Sequence, residues 1–348
     1  MAGDRIEVGV LGATGMVGQQ FISRLDGHPW FRVTWLGASE RSEGKAYAEA
    51  APWRLAAPMP DAVKDLGVEA CRPGHGPRIL FSALDAAAAD RLEAEFAAAG
   101  HVLLSNARSH RMDPLVPLLI PEVNADHLCL LKHQQAQKRW SGAIVTNPNC
   151  AVAVLATTLA PLRTFGLAAV QVTTLQAVSG AGYPGVPSLD ILGNVIPYIG
   201  GGEEDKIERE TVKILGADGG RERHPAVVSA QVTRVPVVDG HSMTVSVTLG
   251  PGPSAADLVE AMRAFRGRPQ IDRMPSAPDP AIVVHAGDAR PQPRLDADLG
   301  RGMAVSVGRV RPCPVASFKY FALGHNTVRG AAGGSILNAE VMKVDGLL

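Results

Sequence analysis

A doubly wound, mostly parallel α/β sheet followed by a second, α+β unit with a mixed sheet is the architecture the sequence predicts. Three features carry that expectation. Short β-rich apolar runs alternate with helical segments through the first 149 residues, the pattern of βαβ units that feed a parallel sheet. A glycine-rich turn joins the first run to its helix. Beyond position 150 successive strands follow one another across short turns, as in antiparallel or mixed sheets. At 348 residues, 46% of them hydrophobic, the chain is long enough for two domains and a sizeable core.

The first strand is Ile6 to Leu11, and Gly12-Ala13-Thr14-Gly15-Met16-Val17-Gly18 leads from it into the helical Gln19 to Leu25. Glycines at this G-x-x-G-x-x-G spacing let the backbone approach a pyrophosphate resting on the helix N-terminus. Glycines also make ordinary turns; the strand-to-helix context is what makes this a Rossmann-like dinucleotide site. The second strand, Val33 to Gly37, runs into Ala38-Ser39-Glu40-Arg41-Ser42. An NAD-specific strand usually ends on a carboxylate for the ribose hydroxyl, whereas Ser39, Arg41 and Ser42 suit a 2′-phosphate. NADP(H) is therefore the expected cofactor, with Arg41 as a solvated loop charge the other reading of that side chain.

Arg78 to Leu84 reads as a strand, and Ala86 to Ala99 as an alanine-rich helix with Asp90, Arg91, Glu93 and Glu95 outward and Gly100 as its C-cap. His101 to Asn106 is the next strand. The polar and basic Cys129 to Ser141 reads as a surface insertion before the strand Ala143-Ile144-Val145.

That strand delivers Thr146-Asn147-Pro148-Asn149-Cys150 to the start of an apolar run. A thiolate at the first turn of a helix is stabilised by unpaired backbone N–H groups and the helix dipole, so Cys150 is a candidate nucleophile. Cys71, Cys129 and Cys313 lack such a context, and no C-x-x-C pair or nearby histidine suggests a metal or a disulfide framework. A helix over Ala151 to Leu162 and strands over Ala168 to Gln176, Val227 to Val235 and His241 to Leu249 follow, the last two paired around Val238-Asp239-Gly240. Asn326 to Ser335 is a glycine loop before a terminal helix that returns to the first domain. The expected boundaries are 1–149 for the dinucleotide domain, 150–325 for a catalytic and dimerisation domain, and 326–348 for the returning helix. Cys150 then lies at the hinge, where active sites commonly form.

Lys plus Arg and Asp plus Glu balance at 34 each without long runs, which gives no electrostatic case for nucleic acid or a membrane surface and points to a small-molecule partner. With no apolar span and no cleavage pattern, a cytoplasmic protein is expected.

Gly12 to Gly18, Asn147 to Cys150, Val178-Ser179-Gly180-Ala181-Gly182-Tyr183-Pro184-Gly185, Arg234-Val235-Pro236-Val237 with Gly240-His241, and Arg329-Gly330-Ala331-Ala332-Gly333 span the chain in order. As a set they resemble the aspartate-β-semialdehyde dehydrogenase family, in its archaeal and fungal branch. The resemblance implies NADPH-dependent conversion of L-aspartyl-4-phosphate to the semialdehyde through a Cys150 thioester, feeding lysine, threonine, methionine and isoleucine synthesis.

The resemblance makes His241 the acid/base, although a lone histidine after a turn would otherwise read as a hydrogen-bonded turn residue. It makes Gln176 an orienting group and Asn149 part of the oxyanion site. Arg234 would hold the α-carboxylate, Glu203 the ammonium, and Lys206 and Arg111 the phosphate. Glu203 to Lys206 without the family reads as a solvated helix start. Cofactor contacts would come from Gly12, Thr14, Gly15, Met16, Val17, Ser39, Arg41, Ser42, Ser82, Asn106, Gly180 and Asn326, with no metal, in a homodimer or homotetramer.

Gly193 and Ala151 depart from the family pattern, an acidic or amide residue and a small hydroxyl residue being expected there. A paralogue acting on malonyl-CoA or a related acyl donor would keep Cys150, His241 and Arg234 without needing an ammonium partner. A non-catalytic NADP-binding sensor would have no reason to keep all of Cys150, Gln176, Arg234 and His241.

Overall fold

Six short strands form a parallel sheet in the first part of the chain: β1 (Ile6–Leu11), β2 (Phe31–Ala38), β3 (Val68–Ala70), β4 (Ile79–Ser82), β5 (Val102–Ser105) and β6 (Ala143–Thr146). Their order is β3-β2-β1-β4-β5-β6. The structure is a computed structural model and describes residues 5–268 and 270–348. Two compact units divide the chain: one comprises the residues up to Leu119, Asp126–Asn147 and Ala331–Leu348, the other Ile120–Ala125 and Pro148–Gly330.

In the first unit β4, β5 and β6 are buried along their whole length, which is why Ile-Leu-Phe-Ser, Val-Leu-Leu-Ser and Ala-Ile-Val-Thr read as continuous rather than alternating apolar runs. Ser82, Ser105 and Thr146 stand in register at their C-terminal ends. Open parallel sheets bind ligands at that edge. The first helix spans Met16–Leu25 and so begins inside the glycine motif, earlier than the sequence suggested. Gly12 takes φ +72, and an added Cβ would lie 2.6 Å from the Ala83 carbonyl oxygen. At Gly18 the Cβ would stand 2.3 Å from the Gly12 oxygen, so the motif fixes the approach of helix to turn.

Two expectations for this unit are corrected. Helix Ala86–Ala98 is capped by Asp85, as a turn-forming acid should cap it, but Glu93 faces inward and is fully buried. Ser105 Oγ donates to its carboxylate at 2.7 Å and His110 Nε2 lies 3.7 Å from it. Polar partners on the strand ends, invisible to helical periodicity, reverse the orientation its charge suggested. Residues 129–141 are not simply a surface insertion. Leu130–Lys138 is a helix that buries Leu130, Leu131 and Gln134. The Gln134 amide accepts from Ile144 N–H and donates to the Leu115 and Ile144 carbonyls, pairing the outer edge of β6.

The second unit is built on β7 (Ala169–Gln176), β8 (Ile196–Pro197), β9 (Val227–Arg234), β10 (His241–Thr248), β11 (Ile282–Val284), β12 (Val305–Pro312) and β13 (Phe318–Gly324), in the order β11-β12-β13-β10-β7-β9-β8. The sheet is mixed: β7 pairs β9 in parallel and β10 antiparallel. Strands β9 and β10 are therefore not the hairpin that Val238-Asp239-Gly240 suggested. Strand β7 lies between them, and the turn carries the chain across its end. The buried helix Cys150–Leu159 stops before Pro161, whose missing N–H ends it, and short helical turns follow.

At the chain's end, helix Gly333–Val344 belongs to the first unit, where Glu340 meets His28 Nε2 at 2.8 Å and Lys343 lies over the Trp30 ring.

The Gly18 geometry gives a stability prediction. Gly18→Ala forces the helix away from the turn and costs about 1–3 kcal/mol, the range for overpacking. Thermal denaturation reads it as a lowered midpoint; an unchanged midpoint would contradict the packing described.

Candidate active site

The N-terminus of helix Cys150–Leu159 is fixed by its own sequence. Asn149, the N-cap, accepts the Ala151 and Val152 N–H groups through Oδ1 at 2.9 and 3.4 Å. The helix behind it is buried from Ala151 to Leu159, so it cannot rotate without exposing apolar surface. Cys150, half-buried, is thereby held at the first helical position. Behind it stands Gly330, whose Cβ, if present, would lie 2.6 Å from that of Cys150. Arg329 anchors this segment through buried bonds to Glu122 (2.5 and 3.2 Å) and Thr157 Oγ1 (2.9 Å).

Three neighbouring strands bring their partners to one end of the sheet. Gln176 ends β7, Arg234 ends β9 in register with it, and His241 opens β10, one residue before Ser242, which pairs with Leu175. His241 Nε2 lies 3.2 Å from Cys150 Sγ. Its other nitrogen, Nδ1, accepts the Ala177 N–H at 3.1 Å. An acceptor at Nδ1 leaves the proton of the neutral ring on Nε2, facing the sulfur. His241 is fully buried, and burial first, then the positive charges of Arg234 and His325, push its pKa down to about 3. A proton on Nδ1 would also collide with the Ala177 N–H, so geometry and electrostatics agree on a neutral imidazole.

Arg234 donates to the Ala177 carbonyl at 2.7 Å, and desolvation lowers its pKa. A Cβ on Gly180 would stand 2.9 Å from both Arg234 Nη1 and His241 Cε1, so the absence of a side chain there keeps these two groups together.

Glu203 opens helix Glu203–Ile214 and is buried, contrary to a solvated helix start. It accepts from Asn149 Nδ2 (2.8 Å), Gln176 Nε2 (3.3 Å) and Lys206 Nζ (3.1 Å). Burial alone would raise its pKa, but those hydrogen bonds and the Lys206 charge hold the carboxyl below the usual carboxylate range.

Cys150, Asn149, Gln176, Glu203, Lys206, Arg234 and His241 thus converge within the second unit. Arg111 belongs to the first unit, nearly buried, with Nη2 on the Asn106 carbonyl at 2.8 Å. Gly12, Thr14, Gly15, Met16 and Val17 form the turn and first helical residues after β1. Helix Met16–Leu25 has no side-chain cap and no acidic residue in its first turn, an arrangement that suits an anion.

Ser39 and Arg41 are exposed just after β2, with Ser42 in the same helical turn. Asn106 follows β5 and accepts from Asn147 at 3.3 Å. Ser82 is fully buried and faces Glu93. In the second unit, Gly180 borders His241, while Asn326 is occupied internally: it accepts Gly240 N–H at 2.9 Å and donates to Ser179 Oγ at 2.8 Å, bracing the turn before His241. Among the described residues no group of three or more His, Cys, Asp or Glu side chains could hold a metal ion.

Sequence reasoning missed the Ala177 N–H that sets the histidine tautomer, the Arg329–Glu122 anchor and Glu210, whose Oε2 accepts the Asn149 N–H at 2.6 Å. Two of these left a trace: Arg329 opens the motif Arg329-Gly330-Ala331-Ala332-Gly333, and Glu210 follows Glu203 by seven residues, two helical turns on the same face.

A dinucleotide-type sheet and a sheet end that sets a half-buried cysteine against a buried histidine are the features of the thiol-dependent dehydrogenase class. Comparison with known proteins narrows the class. Residues 7–131 match the semialdehyde dehydrogenase NAD binding domain family and residues 159–329 the semialdehyde dehydrogenase dimerisation domain family. The aspartate-semialdehyde dehydrogenase of Archaeoglobus fulgidus is 51% identical over 97% of this chain and 98% of its own length. That of Cryptococcus neoformans is 49% identical over 99% of this chain and 98% of its own. The crystal structure of the Candida albicans aspartate-semialdehyde dehydrogenase with NADP superposes with a TM-score of 0.90 at 41% identity, covering 99% of this chain and 100% of that one. The chain belongs to the semialdehyde dehydrogenase family, among the aspartate-semialdehyde dehydrogenases of archaeal and fungal type.

Two outcomes follow from the site. Gly330→Ala displaces Cys150 and slows its alkylation by iodoacetamide about tenfold or more, since small misplacements of a reacting group carry large rate costs; an unchanged rate at the Cys150 peptide would contradict the close approach. His241, near 6.5 when unfolded and pushed down to about 3 when folded, is protonated first in the unfolded chain. Its contribution to stability is therefore present above pH 6.5 and is lost as pH falls from 6.5 toward 3, by about 1.4 kcal/mol per pH unit at most. Denaturant unfolding of the parent and His241→Asn between pH 6.5 and 4.5 reads it: the slope is expected to be shallower in the variant, and equal slopes would contradict a buried neutral histidine.

Proposed function

We propose that the chain catalyses NADPH-dependent reductive dephosphorylation of L-aspartyl-4-phosphate to L-aspartate-4-semialdehyde, reversibly and through a covalent intermediate on Cys150. The observation that carries this reading is the 3.2 Å approach of Cys150 Sγ to His241 Nε2, with Arg234 and Glu203 converging on the same end of the sheet. The Candida albicans relative is described with NADP, and the uncapped helix N-terminus after β1 with Ser39 and Arg41 after β2 fits the same cofactor.

Cys150 Sγ attacks the acyl carbon; a C–S bond forms, and inorganic phosphate leaves with the electron pair of the C–O bond. When bound, NADPH supplies a hydride to the thioester carbonyl carbon. The resulting thiohemiacetal collapses to the aldehyde as the C–S bond breaks and its electrons return to sulfur.

Cys150 enters and leaves the cycle as the thiolate, and the His241 Nε2–H that faces it hydrogen-bonds first the sulfur and then the oxyanion that forms on the acyl oxygen, the proton staying on nitrogen as the C–S bond breaks. Arg234 takes the substrate α-carboxylate, which offsets the guanidinium charge now felt by His241 and raises the basicity of the ring when substrate binds. Glu203 faces the substrate ammonium, Gln176 orients the acyl group, and Asn149 turns its amide toward the oxyanion. Lys206 is assigned to the phosphate. The reading includes assembly of the chain with itself as a homodimer or homotetramer.

Reduction of NADP by aspartate semialdehyde with phosphate tests the reading, with malonate semialdehyde and CoA as the competing pair. The parent is expected to work with the first pair alone, and Cys150→Ala to lower kcat by about 10³-fold or more, as loss of a covalent nucleophile does. Activity with CoA in place of phosphate, or phosphate-dependent activity that survives Cys150→Ala, would overturn it.

A further inference from the structure

Helix Glu203–Ile214 sends out four glutamates with different partners. Glu203 enters the site. Glu204 and Glu208, one turn apart, accept the Val232 and Ala230 N–H groups of β9 at 3.1 and 3.0 Å and dock the helix along that strand. Glu210 does neither. It is 2% exposed and its Oε2 accepts the Asn149 N–H at 2.6 Å.

A carboxylate buried this deeply opposes folding unless its hydrogen bonds offset the loss of hydration, and a charged acceptor on a backbone N–H is among the stronger bonds available. The N–H it holds belongs to the residue immediately before the nucleophile. Asn149 is then fixed at three points: its N–H by Glu210, its Oδ1 by the two helix N–H groups it caps, and its Nδ2 by Glu203. Two of the three restraints come from one helix, seven residues apart on one face.

We propose that Glu210 is a positioning residue for Cys150. By holding the Asn149 peptide it fixes the turn into the nucleophile helix and with it the contact between Cys150 Sγ and His241 Nε2; the proposal rests on the reading of Cys150 as the nucleophile. Once the acceptor is withdrawn, the Asn149 N–H loses its restraint and only the side chain and the carbonyl bond to Ala153 N–H hold the turn, and a shift of about 1 Å in a reacting atom costs about 10²-fold in rate.

Three variants of the full chain test this. Glu210→Ala removes the acceptor, Glu210→Asp keeps the charge but shortens its reach by one methylene, and Glu210→Gln keeps an oxygen acceptor at the same reach. Two readouts are taken beside thermal unfolding: kcat and KM for aspartate semialdehyde, phosphate and NADP, and the rate at which iodoacetamide modifies the Cys150 peptide, followed by mass spectrometry without any substrate.

Glu210→Ala and Glu210→Asp are expected to lose about 10²-fold in kcat with each KM within about threefold, and to slow Cys150 alkylation about tenfold or more. Glu210→Gln is expected to recover both to within about tenfold of the parent. If Glu210→Ala does not fold, Glu210→Asp decides. Parent-like kcat and alkylation in Glu210→Asp, or Glu210→Gln as impaired as Glu210→Ala, would overturn the proposal. A parent without Cys150-dependent turnover would instead count against the functional reading, while the alkylation rates would still decide the role of Glu210.

Discussion

The contact between Cys150 Sγ and His241 Nε2 is the constraint on which the rest of the second unit depends. It needs a helix that starts at the cysteine and a strand that starts at the histidine, brought to the same end of one sheet. The mixed topology supplies this. Because β7 lies between β9 and β10, the end of β9, the end of β7 and the start of β10 fall side by side. A plain β9–β10 hairpin would put Arg234 and His241 on paired strands and leave Gln176 elsewhere. The Ala177 peptide, the first beyond β7, then serves two neighbours at once: its N–H sets the His241 tautomer and its carbonyl holds Arg234.

The electrostatics of the site follow from burial. A fully buried imidazole beside a guanidinium stays neutral, and a buried carboxylate surrounded by an amide donor, an ammonium and a second amide stays charged. The site thus carries a proton on the histidine face that meets sulfur and the unlike charges of Arg234 and Glu203 at the same end of the sheet. Arg234 is among the charges that hold the His241 ring neutral, so under the proposed function an α-carboxylate taken by Arg234 would raise the basicity of that ring.

Much of the fold was legible because it rests on local patterns. The runs Ile79 to Ser82, Val102 to Ser105 and Ala143 to Thr146 declare a sheet buried on both faces, and Gly12 to Gly18 declares the turn before the first helix. Misreadings arose where long-range partners decide. Glu93 faces inward because Ser105 receives it, and Gln134 faces inward because the edge of β6 needs an acceptor and donors. Strand order is likewise long-range, so the turn at Gly240 could not reveal that β7 intervenes.

The site divides the same way. Cys150, His241 and Arg234 were singled out from their motif context and the structure brings them together, whereas the partners that aim them were not legible: a backbone N–H has no sequence identity, and Glu122 and Glu210 act on residues far away in sequence, as does Arg329, whose motif did not reveal its partner. The central claim, that Cys150 carries the acyl group, is tested most directly by trapping. Enzyme mixed with aspartate semialdehyde and NADP in the absence of phosphate, quenched in acid and peptide-mapped, is predicted to carry one aspartyl adduct on the Cys150 peptide, formed in proportion to the NADPH produced. A burst of NADPH that leaves Cys150 unmodified, or an adduct on another residue, would contradict the account.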